Sequence, residues 1–371
     1  MTSKENLPVS TVVREKVATV RIEDNIEKAV EKAILLVGGF NISNKDKIII
    51  KPNLSDLRIA EQGVTTSPEL VKALIQYLRT QDAAADISIV ESDHPEATAD
   101  EEFSCLEYAD LAKDGTKLVN LSNVKKLKIC FEGWHLKSLA IPELMLECTK
   151  FVSVAKLKTH DAEKMSCVLK NQFGMITDRF GRSKYHAFLS KVLADLNNLY
   201  KADLYIIDGD WALEGKGPSE GEAKKVGIVI CGKDPVATDI VAARLMGFNP
   251  SSVPHLNYCM KHLGAVKSLA DVEIVGDNFG VTPFKSVPFP YYFAYRVNCA
   301  LARWSAFSDR TITKFFGLLL KPGLYYSGYK MYTLPDKKQV ASERLKNIMY
   351  GRIGSIWVWL RWRCLSRLGH L

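Results

Sequence analysis

The chain has 371 residues, is 47% hydrophobic and 25% charged, and carries a formal net charge of +8. This is ordinary globular composition without low-complexity tracts or internal repeats. The eight cysteines include no CxxC pair and no apolar run reaches 18 residues, which argues against a cysteine-ligated zinc or iron–sulfur site and a transmembrane helix. The charge is unevenly placed. Residues 291–371 hold six Lys and eight Arg against two Asp and one Glu, a net of +11, which leaves −3 on the remainder. The same segment holds 16 of the 35 aromatic residues. The first ten residues lack the apolar core of a signal peptide, and with the unpaired cysteine spacing this favours a reducing, cytoplasmic compartment.

Residues 9–22 alternate as a strand does. Asp24 is expected to cap a helix whose apolar face is Ile26, Val30, Ala33, Ile34 and Val37, stopped by Gly38. Ile48 to Ile50 read as a buried strand ended by Lys51, Pro52 and Asn53. Ser67 and Pro68 open the next helix, with Leu70, Ala73, Leu74, Tyr77 and Leu78 as its buried stripe. Residues 86–92 form another strand, closing on Glu91, Ser92, Asp93 and His94. Phe103 to Lys113 reads as helical, and residues 125–142 as a hairpin.

Phe151 to Ala155 begin the central stretch as a buried strand that then releases Lys156, Lys158 and His160 at alternate positions, on one face. A turn with Asp161 and Glu163 follows, then an apolar run carrying Lys170 and Asn171. Phe188, Leu189, Val192, Leu193, Leu196 and Leu199 define a helix. A strand then ends at Asp208, before a loop with Gly209, Gly215, Gly217 and Gly221. Residues 226–234 form a further strand, Asp234 and Pro235 start a helix ended by Gly247, and residues 271–277 form a last short strand.

Strands alternating with helices predict an α/β fold: a mostly parallel, doubly wound sheet with helices on both faces. Ligands of such sheets bind outside the carboxyl ends of the strands. Five strand ends carry charged or polar groups: Lys51 and Asn53, Glu91 and Asp93, Lys156 to His160, Asp208 and Asp210, Lys233 and Asp234. One charged strand end is usually just solvated; five in register favour a shared cleft.

The motifs IIIKPN (48–53), AKLKTH (155–160), VLKNQFG (168–174), KYH (184–186), IIDG (206–209), EGKGPSEG (214–221) and KDPVATD (233–239) carry a resemblance to domain-of-unknown-function family 362, over about residues 10–280. The resemblance implies an α/β fold and no assigned general reaction. Many members have a ferredoxin-like, cysteine-rich segment that this chain lacks, so an intrinsic iron–sulfur cluster is not expected.

For chemistry, Lys51, Lys156, Lys158 and Lys170 suit a phosphate or carboxylate ligand, helped by Asn53, Asn171, Lys184 and the backbone N–H groups of a loop around Gly217 and Gly221. Crowding of the amines is expected to lower one lysine pKa, making Lys170 a candidate base or imine-forming nucleophile beside His160 and His186 as acid–base groups. Asp208 and Asp239 are expected oxygen ligands for Mg²⁺, against a reading in which they only cap helices or strand ends. His94 is a weaker candidate, and His255 and His262 read as helix-surface residues.

The expected organisation is an α/β domain over 1–285 and a basic, aromatic, helical extension over 286–371. Trp357, Trp359 and Trp362 among Arg361, Arg363 and Arg367 suit an anionic membrane surface, which would place the protein peripherally on the inner face of the membrane. Packing on the body or a partner is the next reading, and nucleic-acid binding is disfavoured for want of a known motif. The functional expectation is an enzyme acting on an anionic, phosphorylated or carboxylated substrate, including a lipid-linked one. The alternatives are a non-catalytic ligand-binding or scaffold protein, and a redox protein working with a separate ferredoxin.

Overall fold

A computed structural model describes residues 14–23, 25–289 and, beyond them, 292, 293, 296, 297, 299 and 300. The chain opens with β1 (Glu15–Arg21), α1 (Ile26–Leu36), β2 (Lys47–Lys51), α2 (Pro68–Gln81), β3 (Asp86–Glu91), α3 (Ala99–Cys105) and β4 (Lys117–Asn120). An outlying hairpin, β5 (Lys126–Cys130) and β6 (Ser138–Pro142), and α4 (Glu143–Glu147) lead to the long strand β7 (Lys150–His160). Then come β8 (Lys164–Ser166), α5 (Val168–Asn171), α6 (Leu189–Leu199), β9 (Leu204–Glu214) and β10 (Glu222–Gly232). The last elements are α7 (Pro235–Leu245), α8 (Pro254–His262) and β11 (Val272–Gly276).

Among the described residues the main sheet has nine strands in the order β11-β1-β10-β9-β7-β2-β3-β4, with β8 paired to β7. The block β9-β7-β2-β3-β4 is parallel throughout, as is the β1–β11 pair. Strand β10 runs antiparallel to both of its neighbours. The sheet is therefore mixed and mostly parallel.

Side-chain alternation splits the interior into two cores, one on each face. Ile48, Ile50, Val152 and Val154 pack with Val30, Ile34, Leu70 and Leu74 of α1 and α2. Ile49, Phe151, Ala155 and Leu157 pack on the other side with Leu193, Leu196, Ile240 and Leu256 of α6, α7 and α8. Strands buried on both faces read as continuous apolar runs, which is why Ile48–Ile50 and Phe151–Ala155 stand out in the sequence.

Helix starts follow local chemistry. Ser67 Oγ accepts from Glu69 N at 3.1 Å, with Pro68 in the first turn. Asp234 Oδ1 accepts from Ala237 N at 2.8 Å ahead of Pro235. For α1 the cap is Asn25, whose Oδ1 accepts from Lys28 N at 3.0 Å; the expected cap, Asp24, lies outside the described residues.

Two expectations fail: β9 does not end at Asp208 but runs through Gly209 to Glu214, and β10 does not bring its end to the shared edge. Strands β9 and β10 are the arms of a hairpin, and a connection as short as residues 215–221 forces antiparallel pairing. The end of β10, with Lys233 and Asp234, therefore lies at the sheet edge opposite the ends of β2, β3, β7 and β9. Most of the extension expected over 286–371 lies outside the described residues, including Trp357, Trp359 and Trp362. Among the described residues, no helix is long and apolar enough to cross a membrane.

Candidate functional site

Three parallel strands end side by side in polar residues. Lys51 ends β2 and Asn53 lies just beyond it, Glu91 ends β3 and Ser92 follows, and Lys158 and His160 finish β7. Helix α5, the hairpin loop at 216–220 and residues 179–186 close over them. Together they surround a cavity of about 190 Å³ at the carboxyl edge of the parallel block.

Its floor is a closed ion pair. Lys51 Nζ donates to Glu91 Oε2 at 2.9 Å and to Pro52 O at 3.0 Å, with the two side chains only 1% and 3% exposed. Glu91 Oε2 also accepts from Leu54 N at 3.2 Å. Asn171 fixes this arrangement: its amide donates to Lys51 O at 3.2 Å and Ser153 Oγ at 3.0 Å, and its carbonyl accepts from Asn53 Nδ2 at 3.3 Å. These bonds satisfy buried polar groups that would otherwise be costly.

The other two lysines are not neutralised in this way. Lys158 Nζ donates to Ser55 Oγ at 3.0 Å and Val64 O at 2.8 Å, both uncharged acceptors. Burial, helped by the Lys170 charge, pushes its pKa down to about 7. Lys170 extends from α5 into the cavity with its amine 5.4 Å from the centre of the Phe173 ring. Among the described residues it has no hydrogen-bond or ion-pair partner. Burial pushes its pKa down to about 8, against the opposing pull of Asp161 and Glu163. Its neutral form, a usable base and nucleophile, is therefore accessible near neutrality.

Beside it stand three more titratable groups. His160 Nδ1 accepts from Ala162 N at 3.0 Å, which assigns the proton of the neutral ring to Nε2. Burial, then the Lys170 charge, holds its pKa well below the ordinary histidine value. Asp161 lies 3.1 Å from that ring, and burial raises its pKa to about 7. His186 also lines the cavity, edge-on to Phe173 at 5.1 Å.

The sequence reading missed the two arginines here. Arg182, buried, donates to Ser92 Oγ at 3.4 Å and to Asp93 O. Arg179 donates to His94 O at 2.7 Å and Pro95 O at 3.3 Å. They follow an irregular stretch without periodicity, so only the motif KYH just beyond them offered a pointer. His94 was underrated: it lines the cavity with Nε2 2.6 Å from Glu102, and burial plus Arg182 push its pKa down to about 3.

The family model described as Domain of unknown function (DUF362) matches residues 48–244. The chain belongs to this family. The matched DUF362 segment contains every described residue that lines the cavity, from Lys51 to Glu220. A thylakoid-associated protein of Synechocystis sp. is 22% identical over 252 residues, covering 63% of this chain and 75% of its own length. A solved structure, the lactate racemase apoprotein from Thermoanaerobacterium thermosaccharolyticum, aligns with a TM-score of 0.41 and 11% identity. That alignment covers 60% of this chain and 54% of the racemase chain.

Within the DUF362 segment, five expected site residues sit elsewhere. Lys156 is buried beneath the cavity in an ion pair with Asp208 at 2.9 Å, and Asp208 also accepts from Ser67 N at 2.8 Å and Asp210 N at 3.1 Å. Lys184 is exposed and lies over the Tyr185 ring, outside the cavity lining. Gly221 closes the base of the hairpin, where a Cβ would stand 2.3 Å from Glu214 O. Asp239 caps α5, its two oxygens accepting from Val168 N at 2.9 Å and Leu169 N at 3.1 Å. Asp208 and Asp239 thus have separate protein partners, and among the described residues no group of three or more His, Cys, Asp or Glu is arranged to hold a metal ion.

Gly217 does belong to the cavity. Its carbonyl accepts from Asp161 N at 3.0 Å, and a Cβ there would sit 2.0 Å from Thr159 O, so only glycine lets the loop approach β7. His255 is fully buried rather than on the helix surface: Glu163 Oε2 accepts its backbone N–H at 2.7 Å and lies 3.2 Å from Nδ1, while Nε2 faces Asp239 at 3.8 Å. Burial alone would lower its pKa, but the Asp239 and Glu163 carboxylates outweigh that and raise it.

Proposed function

We propose that this cavity is the active site of an enzyme acting on a small anionic molecule, with Lys170 as the group that moves a proton. One observation carries the reading: the Lys170 amine faces the cavity without a protein partner among the described residues and with its pKa lowered to about 8. Purely structural buried charges are paired, as Lys51 is with Glu91 and Lys156 with Asp208. An unpaired, perturbed amine beside Asp161, His160 and His186 is the pattern of a tuned acid–base centre. Lys158 supplies positive charge for the anion, and Lys51 with Asn171 holds the floor rigid.

The test is turnover by the full chain in a small-molecule extract, followed by mass spectrometry, with Lys170→Met as the control. The expected result is depletion of at least one anionic metabolite by the wild type and none by the variant. Retention of an anion without depletion of anything would make the protein a binder rather than an enzyme.

We further propose that residues 291–371 dock the enzyme on an anionic membrane surface. The support is the +11 charge interleaved with 16 aromatics and the similarity to a thylakoid-associated protein of Synechocystis sp.. Just before that segment Phe289 is 73% exposed and stacks on Phe293, continuing the aromatic character onto the described surface.

A further inference from the structure

We infer that the ligand of this cavity is a compact dianion, a phosphate-like or dicarboxylate group, bridged by the Lys158 and Lys170 amines; the inference rests on the anion-site reading above. The argument is a charge balance. Lys51 is closed by Glu91, and Lys216 by Glu220, so neither has charge to give to a ligand. Lys158 and Lys170 face the same space, and among the described residues neither forms an ion pair. Arg179 and Arg182 add two more cations at the wall; among the described residues Arg179 donates to the His94 and Pro95 carbonyls and lies over the Phe180 ring, and Arg182 donates to Ser92 Oγ and Asp93 O. Against these four stand the other lining carboxylates, Asp161 and Glu96. Four positive charges and two negative leave two to be neutralised.

Size points the same way. A cavity of about 190 Å³ is smaller than the roughly 300–1,000 Å³ of drug-sized sites, so both negative charges must be close together. The empty cavity sheds part of its own charge: the Lys158 pKa falls to about 7 and that of Lys170 to about 8, while Asp161 rises to about 7. Lys158 is faced by Lys170, Lys156, Asp56 and Glu102, and Lys170 by Asp161, Glu163, Arg182 and Lys51. Asp161 is faced by Lys170, His186 and Glu220, and by the His160 ring at 3.1 Å. A dianion between the two amines favours their charged forms and the protonated form of Asp161, so binding takes up protons.

Calorimetric titration of the full chain with sulfate, malonate and acetate at pH 7 and pH 9 tests this. Sulfate or malonate should bind roughly 10- to 100-fold more tightly than acetate, the worth of one further charge-assisted hydrogen bond. The tighter of the two tells a phosphate-like ligand from a dicarboxylate. The dianion affinity should fall by more than about ten-fold from pH 7 to pH 9, as two amines must each recover a proton. Lys158→Gln should lose most of the preference for dianions, and Lys113→Gln, at an exposed ion pair with Asp110, should keep it. Equal affinity for acetate and the dianions overturns the inference and leaves the anion site standing. Absence of binding by all three overturns both.

Discussion

Replacing Lys170 with Met should make the empty protein more stable, and only below a definite pH. The ordinary lysine pKa is 10.5 and burial brings Lys170 to about 8. Between these values the unfolded chain holds a proton that the folded chain does not. The folded state is therefore penalised increasingly as pH falls from 10.5 to about 8, and by a constant amount below that. At about 1.4 kcal/mol per pH unit the full penalty is roughly 3 kcal/mol. Methionine has similar length, keeps contact with Phe173 through its sulfur and loses a cation–π contact worth about 0.5–1 kcal/mol. The net gain expected at pH 7 is about 2 kcal/mol, read as a higher urea midpoint by tryptophan fluorescence at an unchanged denaturant slope. At pH 10.5 the gain should have disappeared. Losing the Lys170 charge also lets the depressed Lys158 pKa recover in part, which adds to the gain at pH 7 and, like it, fades as pH rises. A variant no more stable than wild type at pH 7, or one whose gain is the same at pH 7 and pH 10.5, would refute the argument that Lys170 is held at an electrostatic cost.

Asp239→Ala should act in the opposite direction, since it strips the acceptors from Val168 N and Leu169 N and one of the two carboxylates facing His255; at about 1–3 kcal/mol per orphaned buried donor the expected loss is about 3–5 kcal/mol in the same urea assay, and a loss under about 1 kcal/mol would show that α5 does not need its cap. The full chain should sediment with vesicles containing anionic lipid and not with neutral ones, and changing Trp357, Trp359 and Trp362 to Ala should abolish most of the binding; sedimentation unaffected by those changes would remove the aromatic anchor from the account.

The legible parts of this protein were those written in local pattern. Continuous apolar runs located β2, β7 and β9, and Ser67–Pro68 and Asp234–Pro235 located two helix starts, because each signal lies within a few residues. Alternation along β7 put Lys158 and His160 on the same face, and the cavity holds both. What failed depended on partners far away in sequence. The direction of β10 follows from its hairpin with β9, yet an apolar strand looks the same in either direction. Lys156 and Lys158 look equivalent in sequence, and only the parallel pairing that sets Asp208 opposite Lys156 separates a structural lysine from a cavity lysine. Asp239 looked like an acid near a site, but its backbone partners lie 70 residues away. His255 looked solvent-facing because the carboxylates around it come from the turn after β7 and from α7.

The separation of closed from open charges also argues about what the site is for. Lys51–Glu91 and Lys156–Asp208 are compensated, and removing one partner of either would leave a buried charge whose cost alone explains its presence. No such account covers Lys158 and Lys170. Each is held in a place that disfavours its charge, with uncharged acceptors in one case and a ring edge or face in the other, and each lowers the stability of the empty fold. A folded chain tolerates such groups where a ligand offsets the penalty. The same ligand should then stabilise the wild type more than Lys170→Met, because the favourable interaction it makes with the protonated amine exists only in the folded state.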